Sequence, residues 1–576
     1  MKLPLSVLVV VHTAQHEVLL LERAARSGFW QSVTGSLDAP DEPFEAAAAR
    51  ELREETGLDA ASGRLRRWQV AYTFEIYQRW RHRFAPGVTH NTEHLFSFEL
   101  AGRAPVALAP QEHTAFGWLP WRAAAQRCFS WSNRDAIGLI GAALLAAGCA
   151  STETPVVAPL APHLESGPAE VRECAQWYRA LDAEVDAAGV RDAQYARVPG
   201  FPHLRVDRLH ASLHDRAAQS EAALHLFAER LQELDLESRR YEVQNLPTMS
   251  GEAARTQALR RAGDCGRVMR AADLASSESR AALLAAARVP DERPLKKALP
   301  PRTAERPDAA TIVRYAPPAV WSLPRDAVAG LLGRATFDPL GQLGLTAREV
   351  HRLASAYAPS FEIEIGSDYD RFGWLRWMRG SRALQVDAAE PTVYIQSAYT
   401  RYQGQVLLQL VYTIWFAERS QRGAVGSLAG RLDGLVWRVT LAPDGEPLVY
   451  DSIHPSGSMH LFFPTPRARP LVPDPQSLPR LGEGERPVVT IASGTHAIRR
   501  VDVVRGPDSL VRYAMRPYDE LRSMPRTVGD HASAFGPDGR IAGTQMRQWG
   551  RQATAVAARR HFDDADLFER RFEFDL

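Results

Sequence analysis

Lysine is nearly missing from this 576-residue chain: Lys2, Lys296 and Lys297 are the only lysines among 69 basic residues, and arginine supplies the rest. The bias runs the whole length together with an alanine excess, so it reads as base composition and not as a local basic patch. Net charge is missing as well. Lys+Arg 69 against Asp+Glu 68 leaves +1, which removes any global electrostatic reason to expect nucleic acid or an anionic membrane as partner. No apolar run reaches the roughly 18–20 residues needed to cross a bilayer, so no transmembrane span is expected. Cysteine is scarce. Cys128, Cys149, Cys174 and Cys265 contain no CxxC pair, which argues against a disulfide scaffold and against structural zinc. No internal repeat at a fixed period is present, so a solenoid or propeller is not expected.

What is present is length and pattern. The chain is too long for one ordinary core, and an α+β multidomain protein is expected. Over residues 1–140 a β-branched run (SVLVVV) and EVLLLER read as strands, followed by FWQSVTGSL and a helix beginning near Glu42. Further strands are expected at 68–77, 93–100 and 116–119, and a last helix near Ser132, whose hydroxyl suits an N-cap. Residues 165–290 are Ala/Leu/Arg/Glu-rich and helical in pattern. Residues 291–309 are Pro- and charge-rich and read as a boundary. From 310 to 576 the texture is β, with Pro443-Asp444-Gly445 as a hairpin turn.

The informative stretch is GSLDAPDEPFEAAAARELREETGL, Gly35 to Leu58. On a helix, Glu51, Glu54 and Glu55 stand at i, i+3 and i+4, so three carboxylates share one side. Like charges this close repel unless a cation neutralises them. Hard oxygen ligands suit Mg²⁺, with Mn²⁺ as an alternative, and such ions also bind substrate phosphates. Phe44, Ala48 and Leu52 form the opposite, apolar face, and Gly57 suits a left-handed C-cap. The bland alternative is a solvated charged helix laced by Arg–Glu pairs.

RELREETGL resembles the core of the Nudix box: a Gly, a Glu, seven residues, then Arg-Glu-apolar-any-Glu-Glu-any-Gly-apolar. Six residues separate Gly35 from Glu42, where the pattern has five. FWQSVTGS, FEIY, RHRFAPGVTHNTEH and SWSNRDAI resemble the bacterial dihydroneopterin triphosphate diphosphatases, and these blocks span nearly all of 1–140. The resemblance implies a Nudix α/β/α sandwich with a mixed sheet. It also implies Mg²⁺-dependent cleavage of a pterin triphosphate to the monophosphate and pyrophosphate, in the cytoplasm, on the way to folate. Carried over position by position, Glu51, Glu55 and Glu112 would be metal ligands, and Glu54 would be a further box carboxylate. The general base stays open among Glu51, Glu54 and Glu112. Arg50 and Glu42 would pair structurally. Substrate contacts would be Lys2, Arg23, Thr34, Phe74, Glu75, Ile76, Tyr77 and a serine, either Ser130 or Ser132. His82, His90 and His94 are not metal ligands in that family. A dATP-type nucleoside triphosphate is the alternative small-molecule substrate.

Residues 136–150, AIGLIGAALLAAGCA, followed by a Pro-rich stretch to 164, resemble the signal and lipobox of a bacterial lipoprotein. Three readings stand: the last helix of the first domain plus a linker (141–164), the mark of an envelope-associated origin for 149–576, or two neighbouring genes, one cytoplasmic and one for a lipoprotein, joined in one reading frame. Cys174 and Cys265 could pair in an exported domain and would stay reduced otherwise. Within the β-rich part, His454, His460 and His496, with Glu418 or Asp451, form a candidate metal constellation beside the bland alternative of unrelated histidines.

Overall fold

A computed structural model describes residues 2–76, 78–149, 159–288, 311–318, 325–334, 338–378, 384–419, 430–471, 485–505, 511–527, 529–542, 544–551 and 563–576. The chain forms two compact units, Met1–Val157 and Ala158–Leu576.

In the first unit the apolar run becomes β1 (Leu5–Thr13), the middle of a seven-stranded sheet. It pairs antiparallel with β2 (Glu17–Arg23) and β4 (Val33–Ser36), and parallel with β6 (His90–Leu100). The strand expected at 68–77 runs as β5 (Arg64–Glu75) beside β6, and β3 (Trp30–Gln31) and β7 (His113–Pro120) flank β2. The mixed sheet explains why β1 is continuously apolar. Val7, Val9 and Val11 enter one core and Leu8 and Val10 the other, so both faces are covered.

The first face is closed by α1 (Phe44–Thr56), which buries Ala47, Ala48 and Leu52 and ends where Gly57, at φ 70°, donates its N–H to Arg53. The second face is closed by α2 (Trp121–Arg127) and α3 (Trp131–Cys149). Ala136, Ile137 and Ile140 of α3 are buried against the sheet, so the lipobox-like stretch begins as core of this unit. The N-cap of α3 differs from expectation: Ser130 Oγ accepts the Asn133 N–H at 3.2 Å, and Ser132 lies inside the first turn. The Ser132 hydroxyl lies 3.3 Å from the Ser130 hydroxyl.

The second unit joins the helical and β-rich regions. Helices Ala169–Ala188, Glu221–Asn245, Glu252–Asp273 and Ser277–Ala286 share a core with strand Phe201–Val206 and with Val406 of a six-stranded sheet, and a five-stranded sheet of residues beyond 310 belongs to the same unit. Buried charges cross between them: Arg522 donates to Asp192 at 2.6 Å, and the Asn245 amide donates to the Arg522 carbonyl at 2.8 Å. Cys174 and Cys265 form a disulfide between two helices, and Gly445 takes φ 86° in the expected hairpin turn. Among the described residues, no helix is long and apolar enough to cross a membrane.

Candidate active site

Helix α1 presents its carboxylates to β4, and the absence of a side chain at Gly35 makes this possible. A Cβ there would lie 1.7 Å from the Glu51 carboxyl carbon. Glu51 is largely buried and bonded by Arg50 Nη1 at 2.8 Å. Burial raises its pKa to about 7, with Glu55 and Glu54 adding repulsion and Arg50 opposing. Arg50 also donates to Glu42 at 3.1 Å and to the Ser36 carbonyl at 3.0 Å. It thereby ties α1 to the loop before it.

One turn on, Glu55 is 2% exposed and burial pushes its pKa up. The Thr34 backbone N–H and the His113 ring act in the opposite direction. His113 Nε2 lies 3.2 Å from Glu55 Oε2, without the alignment of a hydrogen bond, so both His113 nitrogens and Glu55 Oε2 are buried without a hydrogen-bond partner. Such atoms cost free energy unless something else binds them. Glu112 comes from the turn before β7, held by its carbonyl to the Ala24 N–H at 2.8 Å. Ligand atoms of Glu55, Glu112 and His113 all lie within 4.8 Å of one another. Two hard carboxylates and an imidazole around an orphaned oxygen fit a divalent cation.

The expected residues are not all gathered here. Glu51 shares the β4-facing side of α1 with Glu55, whereas the Glu54 side chain is 59% exposed and bonds Arg50 at 3.3 Å. Arg23 ends β2 opposite His113 in register, at the rim of the acidic group, and is exposed. Thr34 lies on β4, its hydroxyl accepting from Gln31 at 3.1 Å. Lys2 is exposed, its N–H donating to the Arg83 carbonyl. Phe74 pairs with Asn91 across β5–β6, and Ile76 is buried beyond the end of β5. Tyr77 and the Glu75 side chain lie outside the described residues. His94 packs on Phe44 at 3.8 Å, and His82, His90 and His94 form no metal group among the described residues.

The motif spacing singles out neither His113 nor Glu93. His113 follows Glu112 directly, a signal that was readable. Glu93 lies one position before His94, and its alternation with Leu95 would have placed it on a buried face.

In the second unit the three histidines each hold an aspartate, which accounts for their burial. His460 Nε2 lies 2.8 Å from Asp451, and His496 Nδ1 lies 2.7 Å from Asp433. His454 spans Asp433 at 2.5 Å and Ser456 at 2.6 Å. This has the order of a Ser-His-Asp relay, with all three residues buried. Glu418 is exposed, and none of these residues belongs to a metal-ligating group among the described residues.

The model of the NUDIX domain matches residues 2–137. A protein of Escherichia coli (strain K12) named dihydroneopterin triphosphate diphosphatase is 42% identical over 139 residues, 24% of this chain and 91% of its own length. One of the same name from Haemophilus influenzae is 37% identical over 135 residues, 23% of this chain and 84% of its own. The solved E. coli dihydroneopterin triphosphate pyrophosphohydrolase is 41% identical, covering 25% of this chain and 97% of that one, with a TM-score of 0.23. With the acidic group on α1 and β7 set inside that matched segment, the chain belongs to the NUDIX family and carries a Nudix hydrolase domain at its amino terminus.

Proposed function

We propose that residues 1–140 hydrolyse 7,8-dihydroneopterin triphosphate to dihydroneopterin monophosphate and pyrophosphate, a step toward folate, with Mg²⁺ held by Glu51, Glu55 and Glu112. The observation that carries this is the orphaned, buried Glu55 oxygen beside Glu112 and His113, on a helix shaped to meet a glycine strand. The two relatives named for that substrate support the choice of pterin.

A bound divalent cation would neutralise phosphate oxygens, acidify an attacking water and stabilise the leaving pyrophosphate. The protein's own residues do the rest. Arg50 holds Glu51 in place and keeps the loop of Glu42 closed against α1. Arg23, at the rim, and Lys2 supply positive charge for the triphosphate. The acceptor for the water's proton is drawn from Glu51, Glu54 and Glu112. Phe74 and Ile76 line the ring's side of the sheet, and Ser130 holds the start of α3.

The test is Glu55→Gln. It should abolish Mg²⁺-dependent pyrophosphate release while the thermal melt stays cooperative, since the amide is isosteric and removes a buried charge. Wild-type turnover in that variant refutes the metal assignment. Measuring dATP beside the pterin substrate decides between the two substrate readings.

A second reading concerns residues 149–576 and is favoured by the Cys174–Cys265 disulfide. A disulfide between helices belongs to an oxidising compartment, whereas a folate enzyme works on cytosolic substrate. We assign the region an envelope-type origin, joined to the catalytic domain through 141–164. Fractionation with an antibody to each unit tests it: a single full-length band in the cytosolic fraction, with both cysteines alkylatable, overturns this reading.

A further inference from the structure

The face of the sheet away from α1 carries a polar patch that the acidic centre does not use. Register places Ser6, Asn91 and Glu93 side by side on β1 and β6, with Tyr72 and Phe74 opposite Glu93 and Asn91 on β5. Thr34 and Ser36 lie opposite Leu8 and Ser6 on the same face of β4. The α3 N-terminus closes one end: Asn133 Oδ1 accepts the Ser32 N–H at 2.6 Å, and Trp131 packs edge-on to Tyr72 at 5.5 Å.

Within this patch Asn91 is satisfied, donating to Ser6 Oγ at 2.7 Å. Glu93 is not. It is 5% exposed, and its Oε2 is buried without a hydrogen-bond partner. Ser32 Oγ, beside the same helix start, is likewise orphaned. A buried carboxyl with an open oxygen costs free energy that a structural role does not repay, because a methylene chain of the same size would pack without it. Half-buried aromatic rings, Phe74 and Trp131, border it, which suits a flat ring.

The patch is also in the right place. Thr34 links the two faces of β4: its backbone N–H serves Glu55 on the α1 face, and its side chain stands on the Glu93 face. A ring seated near Glu93 can therefore run its triphosphate past β4 to the carboxylates.

We propose that the Glu93 carboxyl reads the 2-amino-4-oxo edge of the substrate ring, making the domain selective for a pterin- or guanine-type ring over an adenine-type ring. This deepens the pterin reading above and rests on it. The chemistry is one of matched donors. The exocyclic amine and the adjacent ring N–H of such a ring are two parallel donors, and the two oxygens of a carboxylate accept both. Adenine offers one donor beside a ring nitrogen that accepts, which sets lone pair against lone pair at a carboxylate. Asn91 and Ser132 act as positioning residues for this group.

The experiment uses the full-length chain and its Glu93→Gln variant, with kcat and KM measured for dihydroneopterin triphosphate, GTP and dATP. Wild type should prefer both 2-amino-4-oxo substrates to dATP. In Glu93→Gln, kcat/KM for those two should fall by about tenfold to a hundredfold, the loss of one charge-assisted hydrogen bond, and chiefly through KM. The ratio to dATP should fall with it, because an amide offers adenine one donor and one acceptor. An unchanged ratio overturns the proposal. The two ring sources separate by which triphosphate has the lower wild-type KM.

A second arm covers a variant that does not fold. Free neopterin should inhibit wild type about tenfold better than the 2-oxo (lumazine) analogue, which lacks the exocyclic amine. Equal inhibition, or none by either ring, overturns the proposal. Failure of the parent reading looks different: wild type would then turn over dATP and leave dihydroneopterin triphosphate untouched.

Discussion

Replacing Gly35 by alanine perturbs the acidic centre through a single methyl group, and the structure sets its size. The added Cβ would lie 1.7 Å from Glu51 Cδ and 1.9 and 2.1 Å from its oxygens. Carbon contacts become comfortable near 3.5 Å, so the carboxylate must retreat by roughly 1.5–2 Å. Misplacing a catalytic group by 1 Å costs about a hundredfold in rate, so kcat should fall by about two orders of magnitude. Stability should hardly move. Gly35 is not among the residues with positive φ, so alanine meets no backbone strain, and its stiffer unfolded chain adds about 0.4–1 kcal/mol. That offsets the weakening of the Arg50–Glu51 bond, since Arg50 keeps Glu42 and Ser36. Pyrophosphate release at saturating Mg²⁺, read beside a thermal melt, checks both halves. Wild-type turnover with normal Mg²⁺ dependence would show that the position of Glu51 against β4 has no part in catalysis.

Arg50→Met should lose both rate and stability, by about 1–3 kcal/mol in a urea titration, because it strips charged hydrogen bonds from Glu42 and Glu51 at once. Burial raises the Glu93 pKa to about 7, above its ordinary value, so the unfolded chain gives up this proton first. Its contribution is therefore complete at pH 4 and lost as pH rises from about 4.5 through 7, a change of about 3 kcal/mol. The stability difference between Glu93→Gln and wild type, measured in chelator at pH 5 and pH 8, should shift in favour of the variant at pH 8; no shift refutes the burial of that carboxyl. Reducing Cys174–Cys265, or replacing Cys174 by serine, opens a loop of 91 residues and should cost the second unit about 4–5 kcal/mol by chain entropy. An unmoved urea midpoint for that unit shows that the bridge does not form.

What the linear chain determined is local. The i, i+4 spacing of Glu51 and Glu55, the small apolar face of Ala48 and Leu52 and the stop at Gly57 follow from helix geometry, which the residues carry with them. The apolar run of β1 and the hairpin at Gly445 are legible for the same reason. Tertiary structure decided what needs distant partners. It set Glu112 and His113 against Glu55, turned Glu54 outward onto Arg50, and buried Glu93 beneath α3. It also gave the start of α3 to Ser130 rather than Ser132, and bound the helical and β-rich regions into one unit through Arg522 and Asp192. Those outcomes depend on sheet register and on which face each strand turns toward a helix. Spacing along the chain encodes neither, because a burial or an ion pair between residues far apart is a property of the packed layers.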